Sequence, residues 1–278
     1  MTGPDPRTQA SDVLPVAVAQ FAPGPQRQAN LEVIADLAAA AASRGARLVV
    51  FPEYSSYFVD PVDERFLGSA EPLDGPFTAA LKTLADSLHV AIVAGFAEAT
   101  DVDGRFSNTL AAIVPGAGIS AVYRKQHLYD AFGARESDVV LAGELTPPQL
   151  FTVDGFAVAL QTCYDLRFPE ITRTLVDAGA DLVVVPSEWV RGSLKEHHWR
   201  TLITARAIEN TVFVAAADHV APVGVGSSLI VDPMGVALAD AGERAGVALA
   251  WLSRERLDQV RTTNPALSLR RYSVLPKD

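Results

Sequence analysis

The sequence predicts an α/β fold built on mixed β-sheets, and three observations predict it. Strand-like apolar runs alternate with helical patterns along the whole chain. Many of these runs are apolar at successive positions, as expected of strands covered by helices on one face and a second sheet on the other. Hairpin signals stand among the helical crossovers, so the sheets are not purely parallel.

Each element has its own signal. Residues 13–21 form a β-rich run, followed by an Ala/Leu-rich helical segment at 26–43 that Gly45 closes. Residues 47–51 read as a buried strand ending at Pro52-Glu53. A helix is expected at 77–88 and a strand at 90–96. The runs 109–114 and 119–124 are separated by Pro-Gly-Ala-Gly, a hairpin signal. Asp154-Gly155 between 149–153 and 156–161 is the strongest short hairpin signal in the chain. Then come a helix at 168–178, a β-branched strand at 182–185, a helix at 195–209 and a strand at 212–217. Two or three short strands follow between 228 and 251, with turns at 232–235 and near Gly242, and a short helix at 254–260. No internal repeat or long linker divides the chain, so residues 13–278 are expected to form one domain. Residues 1–12, polar and proline-bearing without an apolar core, read as a flexible tail.

Composition excludes several classes of function. With 49% apolar and 20% charged residues the chain is ordinary globular protein. A net charge of −10 argues against nucleic acid or an anionic membrane as partner. No run approaches the roughly 20 apolar residues of a membrane span. One cysteine and no signal peptide fit a reducing cytoplasm.

That cysteine, Cys163, lies in the segment QTCYDLRFPE at 161–170. Alone it makes neither an intrachain disulfide nor a multi-thiolate metal site. It is a buried small residue, a redox-sensitive thiol or a nucleophile. It falls at a strand-to-helix turn, where backbone N–H groups and a positive helix terminus favour the thiolate. None of the five histidines (His89, His127, His197, His198, His219) stands in a familiar protease motif. A buried carboxylate can replace a histidine base. Glu53, at the carboxyl end of a buried strand and stiffened by Pro52, is the candidate. Lys125, at the end of the 119–124 strand, is placed to stabilise an oxyanion. Glu136 falls in a loop. Asp165 and Arg167 are expected to pair and shape the turn, and Arg173 to be a surface charge on the next helix. Trp189, following the next strand, is a candidate pocket wall, with a core aromatic as the alternative. The cluster Glu196-His197-His198 is not a metal site, because adjacent helix positions face apart.

Taken singly, these residues leave the choice open. Their order does not: Pro-Glu at a strand end, then Arg-Lys-x-His-Leu at 124–128, then Cys-Tyr-Asp-x-Arg-Phe-Pro-Glu at 163–170. This series resembles the nitrilase, or carbon–nitrogen hydrolase, superfamily. Further matching pieces are VAGFAE at 93–98, Ser107-Asn-Thr109, Pro186-Ser-x-Trp189, His198-Trp199, ARAIEN at 205–210, Gly226-x-Ser228 and Val231-Asp-Pro-x-Gly235. The resemblance runs from about residue 13 to 252.

It implies a four-layer αββα sandwich of two mixed β-sheets with helices on both outer faces. It implies a triad of Glu53, Lys125 and Cys163, with Glu136 as a further glutamate and Glu144 as its competitor. The implied chemistry is attack of the Cys163 thiolate on an amide carbonyl, with Lys125 and the Tyr164 N–H stabilising the oxyanion, and a thioester that water hydrolyses. Tyr164 and Trp189 are the implied substrate contacts. No metal and no organic cofactor is implied. Tyr164-Asp165 after the cysteine, where nitrile-cleaving members carry Trp-Glu, resembles the amidase-type, Nit-like branch. The alternative is a nitrilase or an N-carbamoyl hydrolase with the same triad. Arg191 and Lys195 fall near the expected pocket without fixing a substrate. A homodimer or larger homo-oligomer is implied as well.

Overall fold

The structure, a computed structural model, describes residues 12–277. The expected tail at 1–12 lies, apart from Asp12, outside the described residues. Twelve strands form two six-stranded sheets, ordered β12-β1-β2-β3-β4-β5 and β11-β10-β9-β8-β7-β6. In the first, β1 (Val13–Gln20), β2 (Leu48–Val50) and β3 (Ala91–Ala99) are parallel, and β4 (Phe106–Val114), β5 (Gly118–Arg124) and β12 (Gly246–Ser253) join antiparallel to their neighbours. In the second, β7 (Phe156–Leu160), β8 (Leu182–Ser187) and β9 (Phe213–Asp218) are parallel. β6 (Leu150–Val153), β10 (Leu229–Val231) and β11 (Ala237–Asp240) are antiparallel to their neighbours.

The period of two in each strand divides its side chains between layers. In β1, Val16 and Val18 point to the core between the sheets, where they meet Val158, Val184 and Phe213. Ala17 and Ala19 face outward, against Ile34 and Ala38 of α1 (Arg27–Ser43) and Phe77 and Leu81 of α2 (Pro76–Leu88). The second sheet repeats the division. Its outer face, with Val183, Val185 and Val214, packs on Leu175 of α3 (Pro169–Asp177) and on Trp199 and Ile203 of α4 (Lys195–Asn210). This is the expected αββα sandwich, and each fully buried Val, Leu or Phe contributes about 1.5–3 kcal/mol. Among the described residues no helix is long and apolar enough to cross a membrane.

Three stretches differ from expectation. β3 extends to Ala99 and β4 begins at Phe106, because polar Glu98, Ser107 and Asn108 are buried within the pair. The late segment holds three strands divided between the sheets, with β12 beside β1 and followed by α5 (Arg254–Thr263). A 3₁₀ turn, Cys163–Arg167, precedes α3, which begins only at Pro169.

The parallel strands point their carboxyl ends to one rim. Glu53 follows β2, Lys125 follows β5, and Cys163, Glu188 and His219 follow β7, β8 and β9. That is where open α/β sheets place their sites. Gly95 of β3 permits the approach: a Cβ there would lie 2.7 Å from the Tyr54 nitrogen and 2.8 Å from the Glu53 Cα. Gly95→Ala is therefore expected to cost about 1–3 kcal/mol by overpacking and to displace Glu53. Urea denaturation checks the cost; wild-type stability in the variant contradicts this packing.

Candidate active site

Lys125 is the centre of a buried polar cluster. Its Nζ lies 2.9 Å from Glu53 Oε1 and 2.9 Å from Glu136 Oε2, and all three residues are at most 5% exposed. Asn108 Nδ2 donates to Oε1 of both glutamates, at 2.6 and 3.0 Å. The Tyr54 hydroxyl (2.8 Å) and the Tyr129 N–H (2.6 Å) complete the donors to Glu136. Glu53 receives a third donor, the Glu188 N–H, at 2.7 Å on Oε2. Its own carbonyl accepts from His219 Nε2 at 2.6 Å, so His219 carries its proton on that nitrogen.

These contacts set the charges. Burial alone would favour a neutral amine, but Glu136 and Glu53 outweigh it and hold Lys125 protonated well above the usual lysine value. Burial likewise pushes the carboxyls up. For Glu136, Lys125 and the hydrogen bonds from Lys125, Tyr129 and Asn108 overcome that push and leave it below its ordinary range. For Glu53 burial prevails, aided by the Glu136 charge, and its carboxyl stays above its ordinary range. One cation shared by two carboxylates thus leaves one firmly ionised and the other closer to accepting a proton.

Cys163 opens the 3₁₀ turn with a left-handed φ of 42°, a conformation that costs a non-glycine residue roughly 1–3 kcal/mol. Its Sγ lies 3.4 Å from the Glu188 carbonyl, to which the thiol donates. Burial pushes the thiol well above its ordinary value, Glu53 adds to this and Lys125 opposes it. The turn was expected to favour a thiolate; in the resting site burial wins and the thiol keeps its proton.

A cavity of about 380 Å³ opens over these groups and brings together Glu53, Lys125, Glu136, Cys163, Tyr164 and Trp189. Trp189 is both pocket wall and core aromatic: it lines the cavity, is 2% exposed and packs on Trp199 at 5.4 Å. Glu144 is exposed and lies outside the cavity, as does Arg191. Lys195 does line it, with Nζ 2.9 Å from the Tyr129 hydroxyl and 4.4 Å from the Phe132 ring centre.

Two further expectations are corrected. Asp165 does not pair with Arg167; it accepts from the Tyr123 hydroxyl (2.7 Å), the His127 N–H (3.0 Å) and the Thr162 N–H (3.1 Å), with His127 Nδ1 at 2.9 Å. Arg167 instead lies over the rings of Trp189 (5.0 Å), Phe132 (5.4 Å) and Tyr164 (5.8 Å), facing the cavity. Arg173 is half-buried, not free surface charge, and donates to the Glu209 carbonyl at 2.9 Å.

Sequence reasoning missed Asn108, Glu188, Asp218, whose Oδ1 accepts from the Trp189 N–H at 2.6 Å, and His219. The last three share a signal that was available: each ends or follows an apolar strand on the rim that carries Glu53. No group of three or more His, Cys, Asp or Glu among the described residues is arranged to hold a metal ion.

Burial lowers the His219 imidazole to about 4. A base depressed in the folded state contributes its full stability above the unfolded value, about 6.5, and loses it as the pH falls through the folded value. Melting temperature is therefore expected to drop between pH 6.5 and about 4 and to drop less steeply in His219→Gln. An equally steep loss in the variant assigns the window to another group.

The family model described as carbon-nitrogen hydrolase matches residues 15–262. Deaminated glutathione amidase of Escherichia coli O157:H7 is 40% identical over 266 residues, covering 93% of this chain and 97% of that protein. The fold also matches a double mutant of the amidase from Nesterenkonia sp. AN1 in complex with acrylamide, at TM-score 0.78 and 26% identity over 97% of each chain. A further mutant of that amidase (TM-score 0.76, 26% identity, 97% of each chain) shows the acetamide moiety of fluoroacetamide covalently added at its active-site cysteine. The chain belongs to the carbon-nitrogen hydrolase family, in the amidase branch of the nitrilase superfamily.

Proposed function

We propose that Cys163, Glu53, Lys125 and Glu136 carry out the amide hydrolysis of this family on a small linear amide that bears an anionic group. The observation that carries the reading is the Lys125 amine held 2.9 Å from each of two buried carboxylates, in the cavity that Cys163 lines.

Glu53 takes the Cys163 proton as the sulfur attacks the amide carbonyl, and its raised proton affinity makes that transfer less unfavourable. The oxyanion of the tetrahedral intermediate meets the Lys125 ammonium and the Tyr164 N–H, at the start of a helical turn whose first N–H groups lack intrahelical partners. On collapse the C–N bond breaks, Glu53 returns the proton to nitrogen, and ammonia leaves a thioester on Cys163. Water, deprotonated by Glu53, adds to the thioester. A second collapse breaks the C–S bond and restores the thiol, so amide and water become carboxylic acid and ammonia. Glu136 holds Lys125 and stays ionised throughout. No step needs a cofactor.

The anionic group is inferred from Arg167 and Lys195. Both line the cavity, and neither has a carboxylate within ion-pair distance among the described residues. Each is held over aromatic rings, leaving its charge to meet a ligand. The Escherichia coli relative is named for deaminated glutathione. We further propose one domain over residues 13–278, at least a homodimer through outer-layer helices, and a cytoplasmic location. A monomer in light scattering contradicts the second.

Ammonia release from paired amide, nitrile and N-carbamoyl substrates tests the chemistry. The amide is expected to react, Cys163→Ala to be inactive, and Glu53→Gln to lose about 10²- to 10⁴-fold in kcat/KM. Iodoacetamide labelling of Cys163 is expected to slow in Glu53→Gln. In wild type, kcat/KM is expected to rise with pH through a value above the ordinary carboxylate range, because protonated Glu53 cannot accept the thiol proton. Turnover of the nitrile alone, or unchanged activity in Cys163→Ala, contradicts the proposal.

A further inference from the structure

Asp218 ends β9, is fully buried and does not line the cavity over Cys163. The steps above give it no role. Its carboxyl oxygens go to backbone N–H groups: Oδ1 accepts from Trp189 at 2.6 Å and Oδ2 from Gly226 at 3.1 Å. Its own N–H donates to Ser228 Oγ at 2.9 Å, and the Ser228 N–H donates to Gln20 Oε1 at 2.9 Å. Gln20 ends β1, so Asp218 is anchored to both sheets.

The Trp189 N–H is the partner that reaches the reacting groups. It belongs to the same peptide unit as the Glu188 carbonyl, and that carbonyl accepts from the Cys163 thiol at 3.4 Å. A peptide unit is planar, and in the trans form found here its N–H and C=O point to opposite sides. Holding the N–H from one side therefore aims the C=O on the other. The result is a line of bonds from the Cys163 S–H to the Glu188 carbonyl, and from the Trp189 N–H to Asp218. Bonds in such a line polarise one another, so the Asp218 carboxyl also makes the Glu188 carbonyl a stronger acceptor. The preceding peptide unit gives its N–H to Glu53 Oε2 at 2.7 Å. One corner of main chain thus holds both the thiol and the base that receives its proton.

The other ties of this segment act on either side of that peptide unit. Ser187 pairs with Asp218 in the β8–β9 ladder, before it. The Val225 N–H meets the Trp189 carbonyl at 3.1 Å and the Arg191 N–H meets the Val223 carbonyl at 2.9 Å, both after it.

We propose that Asp218 is a positioning residue: through the Glu188–Trp189 peptide unit it holds the Cys163 sulfur in line with Glu53. The inference rests on the thiol-to-Glu53 proton transfer given under Proposed function, but not on turnover of any amide. What the role requires is an acceptor for the Trp189 N–H, not a charge.

The test is the rate at which iodoacetamide labels Cys163, the one cysteine of the chain, in Asp218→Asn and Asp218→Leu. Both variants lack the charge; Asn keeps one acceptor oxygen for the Trp189 N–H and Leu keeps none. Labelling is expected to fall by about 100-fold in Asp218→Leu and by less than about tenfold in Asp218→Asn. On an amide that wild type hydrolyses, kcat is expected to follow the same order with KM unchanged, because Asp218 does not line the cavity. Asp218→Ala gives the same reading should the leucine variant not fold, which circular dichroism checks. The proposal is overturned if Asp218→Leu or Asp218→Ala labels at the wild-type rate, or if the loss falls on KM. It is also overturned if Asp218→Asn lowers labelling as far as Asp218→Leu, which assigns the effect to charge. Failure of wild type to release ammonia from any amide refutes the hydrolytic reading, while the labelling series still decides this one.

Discussion

Lys125 between Glu53 and Glu136 is the interaction on which the rest of the site depends. Three ionisable groups, none more than 5% exposed, sit at the rim of the two sheets. Such burial is tolerable only because the amine meets both carboxylates at 2.9 Å and Asn108 bridges their remaining lone pairs. Removing one partner of a buried pair typically costs about 3–5 kcal/mol, comparable to much of a domain's net stability. The asymmetry is the useful part. Glu136 has Tyr54, Tyr129 and Lys125 to hold it ionised, whereas Glu53 keeps a proton affinity above the carboxylate norm.

The sandwich makes this cluster reachable by a thiol. Glu53 and Lys125 come from the first sheet and Cys163 from the second, so the cavity sits where the carboxyl ends of both meet. Contacts across the sheets lock the register: Glu188 of the second sheet donates to Glu53 of the first, and His219 holds the Glu53 carbonyl. The left-handed φ values of Tyr54 and Cys163, 53° and 42°, fall at the two turns that aim these groups. Left-handed backbone at these non-glycine positions is held by their surroundings and not by local preference.

The layers were legible because the apolar runs carry them. Val16 and Val18 alternate with Ala17 and Ala19, and the two sets become the inner and outer faces of one strand. Boundaries shifted where polar residues are buried: the apolar run begins at Thr109, whereas β4 begins at Phe106 and buries Ser107 and Asn108. In the site, no spacing rule distinguishes Glu136 from Glu144; the chain path decides, burying one beside Lys125 and exposing the other. Asp165 and Arg167 were expected to pair because they are close in sequence. Three-dimensional partners more distant in the chain, Tyr123 and His127, took the carboxylate, and aromatic rings took the guanidinium. Glu188 and His219 went unread because their partners lie 135 and 166 residues away.

In the proposed mechanism Cys163 carries the acyl group of an amide during turnover. Rapid acid quench of the enzyme with saturating amide, followed by intact mass and peptide mapping, tests it most directly. The predicted result is a transient adduct of the acyl mass, lacking the amide nitrogen, on the peptide containing Cys163. Ammonia released with no adduct on Cys163 at any time, or with the acyl group on another residue, would contradict it.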